Sequence, residues 1–381
     1  MKPHILTTSF ILLLCLLLSS CNKGASNDLI VFDVNGNFPV KTLDIRDIAD
    51  IEYLTLEIDD DYLFYGLVSM TDSFFVCKNR DEFLFFSRTT GKPVSKVSRR
   101  GNGPGEYNLP VISVYSEAKD ELFILDYPVA IKVYGRDGTF KRELPFNGDL
   151  YPNGTNALYD YDEERLLFNV FSFGGHMQDT SFIFISKHDG SPEGLRIPYK
   201  ERVDLIFVQG AGVTIAEAYF AVRNGKDYLL TEYSSDTVYR FTPEHELIPV
   251  LVRTPSIQKM EAKVLLHSWL ETGKYLFFST EKPDWDRNAS KGFQTKGYLM
   301  EKRSGEFFQT NVRMDDYKGR EVILGPSVID KTRNPQTGVI ALSASELHAA
   351  NAENKLSGRL KEVTDRLTGD DEYVFMILRF K

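Results

Sequence analysis

The stretch Glu121-Leu-Phe-Ile-Leu-Asp-Tyr-Pro-Val-Ala-Ile-Lys-Val-Tyr-Gly-Arg-Asp-Gly-Thr-Phe-Lys-Arg-Glu-Leu144 contains three short runs of strand-forming residues separated by turn residues. The runs are Glu121–Leu125, Ile131–Tyr134 and Phe140–Leu144, and each has the length and composition of a β-strand. The pair Asp137-Gly138 favours a tight hairpin between the last two runs, because glycine adopts positive φ without strain. The stretch therefore predicts a small antiparallel sheet.

The same kind of turn follows a strand-like run at several other places in the chain. Its copies are Phe86-Ser-Arg-Thr-Thr-Gly91, Ile185-Ser-Lys-His-Asp-Gly190, Met300-Glu-Lys-Arg-Ser-Gly305 and a degenerate Phe241-Thr-Pro-Glu-His245. Gly138 follows Gly91 by 47 residues, and Gly190 follows Gly138 by 52 residues. A strand-rich repeat of about 40 to 50 residues is typical of a β-propeller.

Six such units fit the chain, and we predict an all-β fold, a six-bladed β-propeller that forms a single domain over residues 29–381. Strand-like segments stand at both ends of this domain, at Leu29–Val34 and at Tyr373–Phe380. We expect these two segments to pair in a sixth blade together with Val339–Leu342. Such pairing would close the ring and hide both terminal edges.

One helical insertion is predicted before the last strand, over about residues 344–368. Ser343-Ala-Ser-Glu346 has the pattern of a capping box at a helix N-terminus. Apolar residues then recur at helical spacing, and Gly369 can end the helix. These apolar residues are Leu356, Leu360, Val363 and Leu367. We expect the helix to pack on the outside or the end of the ring.

The first twenty residues have the features of a secretory signal. The apolar run Phe10–Leu18 is too short to span a bilayer and fits the central part of a signal peptide. Leu18-Ser19-Ser20-Cys21 follows it and resembles the lipobox of bacterial lipoproteins. In that family the signal is cut before the cysteine, which then carries the lipid. The alternative is an ordinary signal peptide with an incidental cysteine.

The lipobox resemblance implies a lipoprotein signal peptide over residues 1–20, lipidation of Cys21 and a polar tether over residues 21–28. The membrane is then a partner through the lipid on Cys21. The tether lacks the acidic cluster that resembles the surface-export signal of Bacteroidetes lipoproteins. We therefore expect an outer-membrane lipoprotein of the cell envelope that faces the periplasm.

Composition excludes several classes of function. The net charge of -9 and the pI of about 5.4 leave no basic footprint for nucleic acid, so no nucleic-acid partner is expected. No P-loop, dinucleotide fingerprint, nucleophile elbow or zinc-protease motif is present, and we expect no cofactor, no metal and no assigned catalytic residue. After lipidation Cys77 would be the one remaining thiol, and its strand-like surroundings predict a small buried side chain.

The segment Arg99-Arg-Gly-Asn-Gly-Pro-Gly-Glu-Tyr107 is the most individual part of the sequence. Its glycines and proline force a specific backbone path, which suits either a linker between two blades or a ligand-binding loop. Trp285 stands in a polar loop-like segment and could stack on a sugar, or pack on an outer loop, whereas Trp269 reads as a core residue. The candidate ligand-binding residues are Arg100, Glu106, His176, His267, Asp284, Trp285 and Arg287.

The chain resembles the six-bladed β-propeller lipoproteins of Bacteroides and its relatives. The features that carry the resemblance are Arg100–Tyr107, the lipobox and the strand Asp236-Thr-Val-Tyr-Arg240. The second unit, Leu122–Phe140, resembles an NHL repeat. The resemblance implies the ring fold and an envelope location, but it implies no agreed catalytic set.

Three functions fit these features. The first is a lipid-anchored binding or protein-interaction module, for a glycan or a peptide. The second is a glycan-active enzyme, a lyase or hydrolase, with its site at one mouth of the propeller. The third is a structural envelope protein. The absence of a catalytic constellation in the sequence favours the first function over the enzyme.

Overall fold

The computed structural model describes residues 29–126, 130–145, 157–169, 180–203, 206–209, 212–215, 221–282, 294–325, 328, 336–369 and 373–381. The strands, numbered in chain order, are β1 (Ile30–Asp33), β2 (Val40–Asp44), β3 (Ala49–Thr55), β4 (Gly66–Met70), β5 (Phe74–Lys78), β6 (Glu82–Ser87), β7 (Pro93–Ser98), β8 (Pro110–Ser116), β9 (Glu121–Asp126), β10 (Ala130–Gly135), β11 (Phe140–Pro145), β12 (Leu158–Asp160), β13 (Arg165–Asn169), β14 (Phe182–Ser186), β15 (Pro192–Leu195), β16 (Ile206–Gln209), β17 (Gly212–Ile215), β18 (Ala221–Asn224), β19 (Asp227–Leu230), β20 (Thr237–Phe241), β21 (Leu247–Thr254), β22 (Leu265–Glu271), β23 (Tyr275–Lys282), β24 (Gln294–Glu301), β25 (Phe307–Arg313), β26 (Glu321–Val322), β27 (Thr337–Ser343) and β28 (Tyr373–Phe380). The helices are α1 (Ile45–Ile48), α2 (Ala344–Ala352) and α3 (Gly358–Thr364), with a 3₁₀ turn at Ile257–Lys259.

The strands form a six-bladed β-propeller, as the repeat predicts. Blades 1 to 5 are antiparallel sheets of consecutive strands, namely β4–β7, β8–β11, β12–β15, β18–β21 and β22–β25. Blade 6 contains β27, β28 and β3. Every residue of β9 is buried, because a strand inside a stacked blade is covered on both of its faces.

The repeated glycines lie where the sequence predicts tight hairpins. Gly91, Gly138, Gly190 and Gly305 all have positive φ, between 73° and 83°. Close packing between blades adds a second constraint. A Cβ on Gly91 would lie 2.1 Å from the carbonyl oxygen of Thr55, and one on Gly190 would lie 3.0 Å from that of Pro145. The turns at Gly91 and Gly190 therefore pack against the outer strand of the preceding blade, whereas a Cβ on Gly305 would meet nothing within 4 Å.

The ring closes through terminal strands, but one of the two predicted strands is wrong. The C-terminal strand β28 pairs with β27 on one side and with β3 on the other. The sequence placed Leu29–Val34 beside β28, whereas the structure uses Ala49–Thr55. The reason is that β1 is taken up elsewhere, as a parallel fifth strand on the outer edge of blade 4.

The first described residues run around the outside of three blades, and we call residues 29–55 the N-terminal belt. β1 pairs with β21 of blade 4, β2 pairs in parallel with β25 of blade 5, and β3 completes blade 6. The fully buried Phe32 fixes the start of the belt. Its ring centroid lies 4.6 Å from that of Phe278 and 5.1 Å from that of Tyr298, both in blade 5. The belt therefore joins adjacent blades to one another.

The predicted C-terminal helix is two helices, α2 and α3. The chain turns between them, with Asn354 in the left-handed region at a φ of 55° and Ser357 extended. The predicted capping box does not form, because the hydroxyl of Ser343 bonds to that of Ser345 instead of to the helix N-terminus. The helices pack in the same apolar cluster as Tyr53 of blade 6. In the described part of the chain no helix is long and apolar enough to cross a membrane.

The two ends of blades 1 to 5 differ in their connections. At the first, which we call the turn end, the first strand joins the second and the third joins the fourth through turns of two to five residues. At the other, the loop end, the second strand joins the third and the chain passes from one blade to the next. The five passages that lead into blades 1 to 5 have 10 to 25 residues.

Candidate functional site

The loop end of the blades carries a group of exposed apolar side chains. Leu63 and Tyr65 precede the inner strand of blade 1, and Leu109 and Val111 lie at the start of the inner strand of blade 2. Ile323 lies in the passage from blade 5 to blade 6 and is 86% exposed. These five are half of the large exposed apolar residues that the described ranges contain. Their shared position makes the loop end the strongest candidate for a binding surface.

The segment Arg99–Tyr107 is held together by its own side chains. The carboxylate of Glu106 accepts a hydrogen bond from the backbone N–H of Gly103 at 2.8 Å. It also covers Gly101, where a Cβ would lie 2.0 Å from Glu106 Oε2. Arg100 forms an ion pair with Asp81. Both of the candidate residues in this segment are thus engaged with neighbouring parts of the fold.

Tyr107 anchors the end of the same segment. It is fully buried, and its hydroxyl donates to the carbonyl oxygens of Asp81 at 2.6 Å and Val97 at 3.2 Å. Burial raises the pKa of Tyr107 to about 12, so the phenol stays protonated. The hydroxyl of Tyr134 donates to the carbonyl oxygen of Gly105 at 3.0 Å. These bonds support the linker interpretation of the segment.

A buried carboxylate that the sequence analysis missed fixes the chain after this segment. Asp126 accepts hydrogen bonds from the backbone N–H groups of Asn108 at 2.9 Å and Leu109 at 2.7 Å. Lys132 pairs with Asp126 at 3.2 Å and donates to the carbonyl oxygen of Glu106. This arrangement sets the position from which the exposed Leu109 projects.

His267 lies on β22, the inner strand of blade 5, and is 3% exposed. Its Nδ1 lies 3.0 Å from the hydroxyl of Tyr233, which belongs to the connection between β19 and β20 of blade 4. Burial lowers the pKa of His267 to about 4, so the imidazole is neutral at pH 7. A neutral ring in this position links two blades through a hydrogen bond.

Five predicted functional residues lie outside the described residues. They are Cys21, His176, Asp284, Trp285 and Arg287. The described strands on either side of His176 are β13 and β14, and those on either side of the other three loop candidates are β23 and β24. In both cases the strands are the second and third of their blade, so the connection between them starts and finishes at the loop end.

A cavity of about 330 Å³ lies at the turn end, on the seam between blades 6 and 1. Its lining residues are Glu52, Met70, Thr71, Asp72, Arg88, Thr89, Thr337 and Arg379. Arg88 donates two hydrogen bonds to the carboxylate of Glu52, at 3.1 and 3.0 Å, and Arg379 donates a third at 3.4 Å. The hydrogen bonds from Arg88 hold the pKa of Glu52 below its usual range. This ion pair joins the first blade to the last.

A basic residue occupies the same position as Arg88 in three other hairpin turns of the ring. Arg88, Arg136, Lys187 and Lys302 all occupy the second position after the last apolar residue of a third strand, just inside the turn. The guanidinium of Arg136 lies 4.7 Å from the ring centroid of Phe74 in blade 1, and Lys187 donates to the hydroxyl of Ser116 in blade 2 at 3.1 Å. Lys302 instead pairs with Glu271 of its own blade, at 2.6 Å. Because three of the four residues contact the preceding blade, Arg88 and Glu52 act first as a clamp between blades.

The described ranges of the chain contain no candidate metal site. Within those ranges no group of three His, Cys, Asp or Glu side chains is placed to hold a metal ion. Cys77 is fully buried, which confirms the prediction of a small buried side chain at this position.

The family model described as "Domain of unknown function (DUF4934)" matches residues 29–379. The chain belongs to the DUF4934 family. The DUF4934 match begins with the N-terminal belt and ends within β28, so both ring-closing strands are part of the family's unit. No curated protein matches the chain.

Two solved structures share the fold of this DUF4934 protein. A putative exported protein from Bacteroides fragilis is 16% identical, with a TM-score of 0.63 over 92% of this chain and 99% of that one. A member of the DUF4221 family from Bacteroides vulgatus is 11% identical, with a TM-score of 0.54 over 88% of this chain and 99% of that one. At these identities the likeness shows the propeller fold alone.

Proposed function

We propose that this protein is a lipid-anchored propeller of the cell envelope that binds a glycan, a peptide or a partner protein at the loop end of its blades. The observation that carries the proposal is the shared position of five exposed apolar residues at that end, namely Leu63, Tyr65, Leu109, Val111 and Ile323. Scattered apolar residues on a surface are ordinary, but a shared location beside the longest connections is typical of an interaction surface.

The turn end is less suited to binding, and this difference supports assigning the binding surface to the loop end. Its turns have two to five residues, and their basic side chains are used in contacts between blades. A surface built in this way offers little freedom for recognition, because each change in a turn also changes the packing of two blades. The loop end has longer connections, which offer more surface for recognition than the short turns do.

The envelope location rests on the lipobox around Cys21 and on the polar tether that follows it. The fold neighbour from Bacteroides fragilis is described as a putative exported protein, which agrees with this location. We place the protein at the outer membrane, facing the periplasm. Mass spectrometry of the peptide that contains Cys21 tests the lipidation, and a Cys21→Ala variant that stays in the membrane fraction would contradict the anchor.

The binding proposal is tested with the full-length protein in detergent, immobilised and exposed to panels of polysaccharides and peptides. We expect retention of at least one class of ligand, and we expect it to weaken on Tyr65→Ala or Trp285→Ala. The matched control is Val94→Ala, an exposed apolar residue on the outer strand of blade 1. If no panel member is retained, the glycan and peptide forms of the proposal are wrong, and the structural role gains support.

A glycan lyase or hydrolase is the second candidate function, and no arrangement of the described carboxylates favours it. Turnover of a panel member, followed by its loss on replacement of a single carboxylate, would establish the enzyme in place of the binding module.

A further inference from the structure

The outer edge of blade 4 is where the described chain begins. β1 alternates between two environments, because successive side chains of a strand point to opposite faces. Phe32 faces inward and is fully buried among the aromatic rings of blade 5. Leu29 and Val31 face outward and are 43% and 57% exposed. The start of the N-terminal belt is thus firmly fixed to the ring, and its outer side carries Leu29 and Val31 followed by the exposed Asp33.

The belt also exposes an aliphatic side chain where it covers blade 5. Val40, the first residue of β2, is 59% exposed. Between Leu29 and Leu43 the charged residues are Asp33 and Lys41, and Lys41 forms an ion pair with Glu301. The chain as a whole has 26% charged residues. The stretch from Leu29 to Leu43 is therefore poorer in charge than the chain as a whole, and it carries three exposed aliphatic side chains.

The length of the tether limits where a lipid on Cys21 can lie. Eight residue steps separate Cys21 from Leu29. At full extension they reach about 28 Å, which is the greatest distance that can separate Cys21 from Leu29. The anchor thus stays close to the rim from which β1 starts, and blade 1 lies on the opposite side of the six-bladed ring.

We propose that the outer rim of blades 4 and 5, with Leu29, Val31 and Val40, lies against the surface of the lipid bilayer. This inference rests on the proposed lipidation of Cys21. The aliphatic side chains enter the interface between headgroups and acyl chains, where apolar contact adds to the anchor. The free backbone edge of β1 keeps its hydrogen bonds to water and headgroups, so the rim rests at headgroup depth and goes no deeper.

This placement determines the orientation of the propeller axis relative to the membrane. With a rim on the bilayer, the axis of the propeller runs along the membrane plane, and both the loop end and the turn end open sideways to the aqueous phase. A large partner can then reach the loop end without displacing lipid.

The test uses the full-length lipidated protein in vesicles that contain a lipid with a quencher on its headgroup. Val31→Cys and Val94→Cys are each labelled with an environment-sensitive fluorophore. Val94 is the matched control, because it is also an exposed valine on an outer edge, 44% exposed and in blade 1. Cys77 is fully buried, so the unsubstituted protein reports background labelling.

We expect a loss of fluorescence from the label at position 31 and no loss above background from the label at position 94. Equal quenching at the two positions, or stronger quenching at position 94, would overturn the proposal. A label at position 31 that is shielded from both the lipid quencher and aqueous iodide would assign the rim to a second copy of the chain and would also overturn it. The mass of the acylated Cys21 peptide is measured on the same sample. A failed anchor is thereby distinguished from a wrong orientation.

Discussion

Stability between pH 7 and pH 5 should depend on His267. The imidazole is buried and has a folded-state pKa of about 4, against about 6.5 in an unfolded chain. Between these two values the unfolded state binds a proton that the folded state excludes. The free energy of unfolding must therefore fall as the pH falls through this window.

The size of the effect follows from the same two pKa values. At pH 5 most unfolded chains carry the proton on this histidine, whereas about a tenth of folded chains would. The resulting loss of stability between pH 7 and pH 5 is about 2 kcal/mol from this one side chain. The matched variant is His267→Asn, which retains a polar group near the hydroxyl of Tyr233 and does not titrate.

The assay is urea unfolding at a series of pH values, followed by tryptophan fluorescence. Trp269 lies on the same strand as His267 and is 2% exposed, so it reports the opening of this part of blade 5. Carboxylates titrate in both proteins and cancel in the comparison. We expect the native protein to lose about 2 kcal/mol more than His267→Asn over this range. Parallel pH profiles for the two proteins would refute the reasoning.

Two further substitutions test the packing between blades. Gly91→Ala adds a Cβ that meets a backbone oxygen of blade 6 at 2.1 Å, whereas Gly225→Ala has the same positive φ without a neighbour within 4 Å. Urea unfolding should show a loss above about 2 kcal/mol for the first and about 1 kcal/mol for the second, and equal losses would mean that the contact is easily relieved. Glu52→Gln weakens the clamp with Arg88 and should cost about 1 kcal/mol at pH 7, while Glu57→Gln, whose ion pair is well exposed, should cost little. Because the pKa of Glu52 is lowered in the folded state, the deficit of Glu52→Gln should shrink as the pH falls below the usual carboxyl range, and a deficit that grows in acid would contradict the clamp.

Local patterns in the sequence were sufficient to predict the blades. The hairpin glycines, such as Gly138, mark positive φ directly, and blades 1 to 5 each contain four strands that follow one another along the chain. The closing strand was harder to predict, because Leu29–Val34 and Ala49–Thr55 are both strand-like and their partners lie far away in the sequence. Parallel pairing of β1 with β21 leaves no short-range signal in either segment.

The sequence predicted only part of the candidate site, because long-range packing again decides the rest. Position in the repeat places Arg100 and Glu106 in the passage between two blades, and the structure shows both side chains engaged there. The exposed apolar side chains of the loop end, such as Tyr65 and Ile323, were missed, because exposure depends on packing that only the assembled ring defines. The basic residue that recurs at one position in four of the hairpin turns was the signal in the sequence that could have indicated the clamp at Arg88.

The N-terminal belt has a consequence for how the chain is made. Its residues are made before the strands that hold them: β1 pairs with β21, β2 with β25, and Thr55 of β3 with Val374 near the end of the chain. The belt must therefore wait for its partners, and β3 stays unpaired until nearly the whole chain is present. Folding that depends on such distant partners is slow. A chain that ends before β28 would leave β3 of the belt unpaired, and an exposed unpaired strand favours aggregation or degradation.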